Sequence, residues 1–488
     1  MAPATVTETS IILPPHFVLV PLIGHGHTIP MSDLACLLAG RGARVSLVTT
    51  PVNAARLGGL ADRARHAMLS LEIVELPFLL ADDGLPTGST ASVDSFLRLF
   101  LGLYRLAGPL EAYVRALPRR PSCIISDACN PWTAGVARSV GVPRLFFHVP
   151  SVFYSLCDLN VATCGQGDHG ASYVVPGMPV RVEMAKETWS SSFYTTPEWK
   201  QFTKEAREAM RTADGAVMNT FLGLEQQFIT SYEAALGKPV WALGPFCLGN
   251  RREKEAVNQS PVTAWLDKMD ENTVIYVNFG SLVRMPPKQL YEVGQGLEDS
   301  GKPFLWVVKE SETALPEAQE WLQALEARTA GQGLILRGWA PQLAIMSHRA
   351  VGGFMTHCGW NSLLESIAHG VPVVTWPHFS DQFVNERLVV EVLGVGVSLM
   401  PFGKDTAVVR GHIAQAVSEL MGDGAVAEER RRKCKDYGER AHTAVAKGGS
   451  SHENLTRLLQ NFMPSGSKEL FHLGWLVAVI SSWDGMTA

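Results

Sequence analysis

A strand end, a glycine turn and a helix start follow one another directly in THCGWNS, residues 356–362. Asn361 or Ser362 can cap a helix that runs to His369, with Gly370 just past its end. A helix N-terminus has free N–H groups and a partial positive charge, so it is suited to bind a diphosphate. His357, at the strand end, can add a hydrogen bond to the same anion. This spacing predicts a diphosphate site.

Further polar and aromatic residues surround that helix start. Glu365 lies four residues after Asn361 on the same helical face and is placed to accept hydrogen bonds from ribose hydroxyls. Trp339 offers a flat face on which a base can stack, and Asp381 with Gln382 follows the next strand end, within reach of sugar hydroxyls. Each residue has an ordinary alternative, because such a Trp is often core and an Asp-Gln pair often caps a helix. Their order and spacing together indicate a sugar-nucleotide site.

A second candidate site is the loop Gly24–Pro30, GHGHTIP, after the apolar run HFVLV. His27 precedes a predicted helix, whose dipole would disfavour the charged imidazolium and keep the ring neutral, as a general base requires. Asp127, at a later strand end, can fix the ring's tautomer or can simply cap the helix after it. His25 is an alternative base. Ile29 replaces the third glycine of a dinucleotide fingerprint, which makes a dehydrogenase reading weak.

Two series of alternating strands and helices are predicted to position these residues. Because each series requires a parallel sheet, we expect two doubly wound α/β domains facing across a cleft. The predicted strands are 16–20, 44–50, 123–126, 143–148, 274–279, 304–308, 334–336, 352–356 and 371–376. One helix is predicted to start near Pro30, and four others are predicted over 132–140, 288–300, 361–369 and 383–392.

The polar stretch CLGNRREKEAVNQS marks the expected domain boundary. We therefore predict an N-terminal domain over 1–248, a linker over 249–260 and a C-terminal domain with late helices over 261–463. The last segment, 464–488, matches no pattern, and we expect it to be poorly ordered.

Composition excludes several classes of protein. The chain has 488 residues, of which 46% are hydrophobic and 18% charged, with a net charge of −5. This balance argues against a nucleic-acid partner. The eight cysteines form no CxxC pair, and no basic leader or apolar stretch of about 18 residues occurs. We expect a cytoplasmic protein without stable membrane insertion. No Asp-x-Asp triplet is present, so we expect no metal site.

The segment from Trp339 to Gln382 resembles the signature of plant family 1 UDP-sugar-dependent glycosyltransferases. WAPQ, THCGWNS, Glu365, GVP, WP and the final DQ all match, and GHGHTIP, SDACNPW, VIYVNFGS and SSHENL extend the likeness over nearly the whole chain. The resemblance implies the glycosyltransferase B fold, with the acceptor in the N-terminal half and the UDP-sugar in the C-terminal half. It also implies a monomer without a cofactor.

The resemblance assigns roles by position. His27 is implied to be the general base and Asp127 the residue that orients it, in an inverting transfer that forms an O-β-glucoside. Gln382 favours glucose as the donor sugar, and Trp360 is placed with Asp381 and Gln382 facing that sugar. The implied UDP-sugar-binding residues are Ser281, Trp339, Ala340, Gln342, His357, Gly359, Trp360, Asn361, Ser362, Glu365, Asp381 and Gln382.

The acceptor is predicted only by class. An aromatic lining would suit a small lipophilic molecule such as a flavonoid, another phenolic, a terpenoid, a steroid, a hormone or a xenobiotic. The candidate lining residues, each of which can equally be core, are Phe147, His148, Phe153, Tyr154, Phe193 and Phe379. Three alternatives stay open: another UDP-sugar as donor, an enzyme that isomerises or hydrolyses the sugar nucleotide, and a non-catalytic regulator that binds it.

Overall fold

The structure is a computed structural model that describes residues 14–78, 93–164, 172–185, 196–249, 261–400 and 407–463. Its N-terminal part contains the strands β1 (His16–Val20), β2 (Arg44–Thr49), β3 (Leu71–Glu75), β4 (Cys123–Asp127), β5 (Arg144–His148), β6 (Ser172–Val174), β7 (Glu183–Ala185), β8 (Gly215–Met218) and β9 (Val240–Ala242). Seven of them form one parallel sheet in the order β3-β2-β1-β4-β5-β8-β9, and β6 pairs antiparallel with β7.

The C-terminal part contains a second parallel sheet. Its strands are β10 (Val274–Asn278), β11 (Phe304–Val308), β12 (Gly333–Arg337), β13 (Val351–Thr356), β14 (Val373–Thr375) and β15 (Gly396–Ser398). They are ordered β12-β11-β10-β13-β14-β15. The runs HFVLV and VIYVN are almost wholly buried, as expected for parallel strands that helices cover on both faces.

Helices connect the strands and cover the sheets. In the N-terminal half they are α1 (His25–Gly40), α2 (Pro51–Arg56), α3 (Gly58–His66), α4 (Val93–Leu103), α5 (Ala107–Ala116), α6 (Thr133–Val140), α7 (Val152–Cys164), α8 (Pro197–Thr212) and α9 (Leu222–Leu236). In the C-terminal half they are α10 (Pro261–Leu266), α11 (Pro287–Asp299), α12 (Pro316–Arg328), α13 (Gln342–Met346), α14 (Trp360–Ala368), α15 (Gln382–Arg387), α16 (Arg410–Met421), α17 (Ala425–Val445) and α18 (Ser450–Asn461).

Each sheet reverses its chain order at one place. In the N-terminal sheet the reversal lies between β1 and β4, and in the C-terminal sheet between β10 and β13. Ligands of open α/β sheets bind at such switch points, in the crevice beyond the carboxyl ends of the strands. His27 and Asp127 come from one of these points, and Ser281 and His357 from the other.

The predicted strands are confirmed to within two residues at each end, but the predicted start of the first helix is wrong. Helix α1 begins at His25 rather than near Pro30, because the Gly24 carbonyl accepts the N–H groups of His27, at 3.0 Å, and Thr28, at 2.7 Å. Pro30 therefore lies inside the helix.

The last described helix packs differently from the predicted domain division. Leu455, Leu458 and Leu459 of α18 lie in the same core as the strands of the N-terminal sheet, and the Asn454 side chain donates to the Ala242 carbonyl at 3.1 Å. Residues near 463 thus belong, by packing, with the first domain.

The predicted linker from residue 250 onward and the predicted tail, 464–488, lie outside the described residues. Among the helices that the structure describes, none is long and apolar enough to span a membrane.

Candidate active site

His27 lies in the first turn of α1, directly opposite Asp127. Its Nδ1 is 2.8 Å from Oδ2 of Asp127, the last residue of β4. The other carboxylate oxygen accepts the Cys129 backbone N–H at 2.9 Å, so the buried carboxylate is held from two sides. Nδ1–H therefore donates to Asp127, and Nε2 is left as the unprotonated, basic nitrogen of the neutral ring. The ring is 29% exposed, as a base that meets a substrate must be.

The helix dipole does not decide the pKa of His27, as its position before the helix suggested, whereas the carboxylate of Asp127 does favour the charged ring. Burial by itself would lower the pKa of His27, but the charge and hydrogen bond of Asp127, with a smaller contribution from Asp381, raise it above its ordinary value. A full carboxylate charge at hydrogen-bond distance outweighs the roughly half charge of a helix terminus. His25 is exposed, and the Asp127 hydrogen bond goes to His27.

Pro30 affects the turn that contains His27. Because proline has no N–H, the Gly26 carbonyl four residues earlier cannot receive the usual i→i−4 hydrogen bond of the helix. The Asn361 side-chain amide, at the start of α14 in the other half, donates to this carbonyl at 2.7 Å. The helix predicted to hold a diphosphate is thereby joined to the turn of the predicted base.

The β13–α14 turn arranges the predicted diphosphate site. Cys358, fully buried, has a left-handed backbone with a φ of 67°, and Gly359 is the residue that precedes α14. A Cβ atom on Gly359 would lie 2.6 Å from the His357 ring, and one on Gly280 would lie equally close. The ring therefore sits between two glycine backbones. Burial, with the charges of His378 and Lys309, lowers the pKa of His357 to about 3, so the ring is neutral.

The helix cap differs from the prediction, whereas the helix end agrees with it. No side chain caps α14. Asn361 and Ser362 lie inside its first turn, which leaves their side chains to bond elsewhere. Gly370 follows the helix with a φ of 70°, as predicted for a residue just past a helix end.

The predicted nucleoside-binding residues form a connected network. Gln342 donates to Glu365 at 2.6 Å and to Ser362 at 3.2 Å. Its side-chain oxygen accepts from Asn278 at 2.8 Å and from Tyr276 at 3.3 Å. Sequence reasoning missed Tyr276 and Asn278, although a polar residue at the end of the apolar strand VIYVN was a usable signal.

The indole of Trp339, close to this network along the chain, is 78% exposed, as a stacking surface for a base must be. Ala340 is buried beside it in the chain. Ser281 is exposed in the loop after β10.

The three residues predicted to face the sugar are placed differently from one another. Gln382 is buried, and its Oε1 accepts the backbone N–H groups of His378, at 2.9 Å, and Phe379, at 3.1 Å, so it fixes the loop before α15. Burial raises the pKa of Asp381 to about 6. The prediction is wrong for the Trp360 side chain, because its indole is buried and donates to the Asn219 carbonyl at 2.9 Å.

The predicted acceptor-lining residues do not form one surface. Phe147 and Phe153 are fully buried, stacked on Phe246 and edge-on to Phe228 respectively, so their assignment as lining residues is wrong. Phe147 lies in β5, a strand buried on both faces, which places its aromatic residues in the core whichever way they point. Phe153 lies in the first turn of α7, where Val152–Cys157 are all buried.

The remaining candidates have different surroundings. The His148 Nδ1 lies 2.9 Å from the Ser155 hydroxyl, and its ring lies 6.2 Å from that of Tyr154. Burial lowers the pKa of His148 to about 4. Phe379 packs beside the C-terminal core. Phe193 lies outside the described residues.

Two parallel α/β sheets with a candidate sugar-nucleotide site at one switch point and a His–Asp pair at the other define a glycosyltransferase of the B fold type. Residues 246–426 match the family model for "UDP-glucoronosyl and UDP-glucosyl transferase". UDP-glycosyltransferase 73C3 of Arabidopsis thaliana is 40% identical over 478 residues, which cover 92% of this chain and 96% of that protein. The chain belongs to plant family 1 of UDP-glycosyltransferases.

Other relatives and solved structures agree with this family. UDP-glycosyltransferase 73C12 of Barbarea vulgaris is 38% identical, with 92% of this chain and 97% of that protein covered. The crystal structure of Glycyrrhiza uralensis UGT73P12 complexed with glycyrrhetinic acid 3-O-monoglucuronide aligns with a TM-score of 0.84 and 29% identity, over 97% of this chain and all of that chain. Phytolacca americana UGT2, complexed with UDP-2fluoro-glucose and pterostilbene, aligns with a TM-score of 0.77 and 27% identity, over 92% and 99% of the two chains.

Proposed function

We propose that this UDP-glycosyltransferase transfers glucose from UDP-glucose to a hydroxyl of a small lipophilic acceptor, with inversion, and forms an O-β-glucoside. The observation that supports this most is the 2.8 Å His27–Asp127 hydrogen bond, which makes Nε2 the basic nitrogen. The Asn361–Gly26 hydrogen bond joins the predicted donor helix to the same turn. A base beside a donor site is the arrangement that direct displacement needs.

The proposed reaction is a single displacement. His27 Nε2 takes the proton of the acceptor hydroxyl while that oxygen forms a bond to the anomeric carbon, and the bond from this carbon to the diphosphate breaks. Asp127 stabilises the imidazolium that forms. The N–H groups at the start of α14, with His357, Ser281 and Ser362, stabilise the charge on the departing UDP. The reaction is proposed to need no metal ion.

The donor and acceptor proposals rest on separate observations. Gln382 in the fixed loop before α15 and the half-buried Asp381 beside it support a hexose donor, and glucose is the proposed sugar. The solved Phytolacca americana relative is complexed with a UDP-fluoroglucose and pterostilbene, which supports a UDP-sugar and a small aromatic acceptor. A phenolic or terpenoid acceptor, a monomeric state, a cytoplasmic location and a place in plant secondary metabolism complete the proposal.

One experiment tests the proposal against its alternatives. The protein is incubated with UDP-glucose, UDP-galactose or UDP-glucuronic acid and a panel of phenolics and terpenoids, and UDP release and product mass are measured with and without EDTA. We expect a glucoside, formed with UDP-glucose and unaffected by EDTA. Tight UDP binding without release by any acceptor would instead support a regulator, and release without acceptor would support hydrolysis.

A further inference from the structure

Asn385, in helix α15, bonds three parts of the molecule at once. The residue is fully buried. Its side-chain Nδ2 donates to the Cys358 carbonyl at 3.1 Å and to Oδ2 of Asp381 at 2.7 Å. Its Oδ1 accepts the Ser151 hydroxyl of the N-terminal half at 2.8 Å. Both N–H groups of the amide and its oxygen therefore have partners.

The chemistry of these partners fixes which way the amide points. The Cys358 carbonyl and the Asp381 carboxylate can only accept, and both lie on the Nδ2 side. A flipped amide would bring Oδ1 against two acceptors in a buried space, which is costly. Aspartate at position 385 would have the same shape but no N–H to offer, so it tests the donor role without changing the volume.

Each partner belongs to a different element of the site. Ser151 accepts the Tyr154 N–H at 3.0 Å and so caps α7 in the N-terminal half. The Cys358 carbonyl lies in the left-handed turn that precedes α14. Asp381 is the carboxylate proposed to bind the sugar. Asn385 thus ties the sugar-facing carboxylate to the diphosphate turn and to the opposite half.

We propose that Asn385 is a positioning residue that holds the Asp381 carboxylate toward the donor sugar. Its hydrogen bond to Oδ2 restrains the carboxylate, which also bonds its own backbone N–H and has further lone pairs to accept from a sugar hydroxyl. This inference rests on the proposed function, in which Asp381 faces the sugar.

The pH dependence of UDP-glucose binding in an Asn385 variant distinguishes a residue that positions Asp381 from one that only supports the fold. The groups that act on Asp381 or lie beside it are His27 from α1, the Cys358 thiol from the turn before α14, and Glu386 on its own helix, which bonds Thr375 and Ser398 instead. In N385D a second carboxylate would replace the amide that donates to Asp381. Two buried carboxylates at this distance share one proton, so the defect is expected to shrink as the pH falls.

The test compares the affinities of UDP and UDP-glucose, measured by calorimetry at pH 5.5 and pH 7.5. For N385D we expect about a tenfold weaker binding of UDP-glucose at pH 7.5, little change for UDP, and partial recovery at pH 5.5. N454D is the matched control, because the Asn454 amide also donates to a distant carbonyl but does not contact Asp381; it should bind both ligands normally. S151A keeps the Asp381 hydrogen bond and should retain UDP-glucose affinity.

Two results would overturn the inference. One is equal weakening of UDP and UDP-glucose by N385D, and the other is an S151A defect as large as that of N385D. If N385D unfolds, the swap D381N/N385D keeps one amide–carboxylate pair and should melt at a higher temperature than N385D alone. Failure of the proposed function is distinguished by the wild-type protein, which would then release no UDP whatever the binding data show.

Discussion

At the scale of single residues, the pKa of each histidine in the site depends on whether a charged group lies within hydrogen-bond distance. His27 is in the first turn of a helix, where the dipole alone disfavours the imidazolium. The carboxylate of Asp127 at 2.8 Å has the opposite and larger effect. His148 and His357 have no such partner, and burial lowers the pKa of each. Only one of these three histidines is therefore set up to take up a proton and hold it as a cation.

Replacing His27 should abolish most of the turnover. In His27→Ala the general base is lost, and we expect kcat to fall by about 10²–10⁴-fold. The affinity for UDP-glucose should change little, because the proposed donor contacts come from the other half. Steady-state kinetics and calorimetry measure the two effects. His25→Ala is the matched control and should stay active; a large loss there with an active His27→Ala would place the base at His25.

The raised pKa of His27 sets the acid side of the pH profile. The base must be neutral, so kcat/KM should fall as the pH drops through the raised pKa. In Asp127→Asn the carboxylate charge is gone and the pKa of His27 should fall. The acid limb should then move to lower pH, while the maximal rate also drops because the imidazolium loses its partner. An acid limb that stays in place in this variant would contradict the assignment of the limb to His27.

At the scale of helices and strands, chain order was predictable and contacts between elements were not. Apolar runs and glycine turns indicated the strands that end at Val20, Asp127, Asn278 and Thr356, and the switch-point rule placed His27, Asp127 and His357 in crevices. The burial of Phe147 was not predictable, because a strand covered on both faces has no alternation to show which side is open. The burial of Phe153 was not predictable either, because the first turns of α7 are buried all round and show no open face.

The Gln342–Glu365 hydrogen bond was equally out of reach of sequence reasoning. It joins two helices whose relative position depends on tertiary packing. Local patterns report only neighbours along the chain.

The turn between β13 and α14 should tolerate no side chain at Gly359. In Gly359→Ala the new Cβ would meet the His357 ring at 2.6 Å and displace it. The φ of Gly359 is −61°, so backbone strain does not confuse the result. We expect KM for UDP-glucose to rise by about tenfold, the equivalent of one lost charge-assisted hydrogen bond.

A matched glycine lies far along the chain from this turn. Gly108, exposed at the start of α5, has open space around its Cβ position. Gly108→Ala should leave KM unchanged. Equal KM values for Gly359→Ala and the wild-type protein would show that His357 does not need its present place.

At the scale of the whole molecule, the last described helix returns to the first half and packs on its sheet. After the second sheet is complete, α17 leads to α18, whose leucines complete the core of the first sheet. The Phe462 ring ends this path against Phe17 of β1, with ring centres 6.0 Å apart. The chain therefore passes between the two halves twice, once between the short helix Phe246–Gly249 of the first half and α10 and once on entering α18, and the sequence-based division of the chain could not show the second passage.

Leu458 should contribute to the stability of the N-terminal core although it lies near the end of the described chain. Its side chain is fully buried among residues of the first sheet. Leu458→Ala should lower the free energy of unfolding by about 2–5 kcal/mol through the lost burial and the cavity left behind. Urea denaturation measures this. Arg457→Ala, an exposed neighbour, should change it by less than about 0.5 kcal/mol, and a similar loss for both variants would contradict the packing of α18.

The missing N–H of Pro30 has a consequence for recombination between relatives. The Gly26 carbonyl takes its hydrogen bond from Asn361, so two residues more than 300 positions apart form one functional unit. A chimera that joins the first half of one family member to the second half of another keeps this unit only if it has proline at position 30 and asparagine at position 361. Shuffled libraries should therefore lose activity at crossovers that bring a residue without a side-chain amide to position 361, even when both parents are fully active.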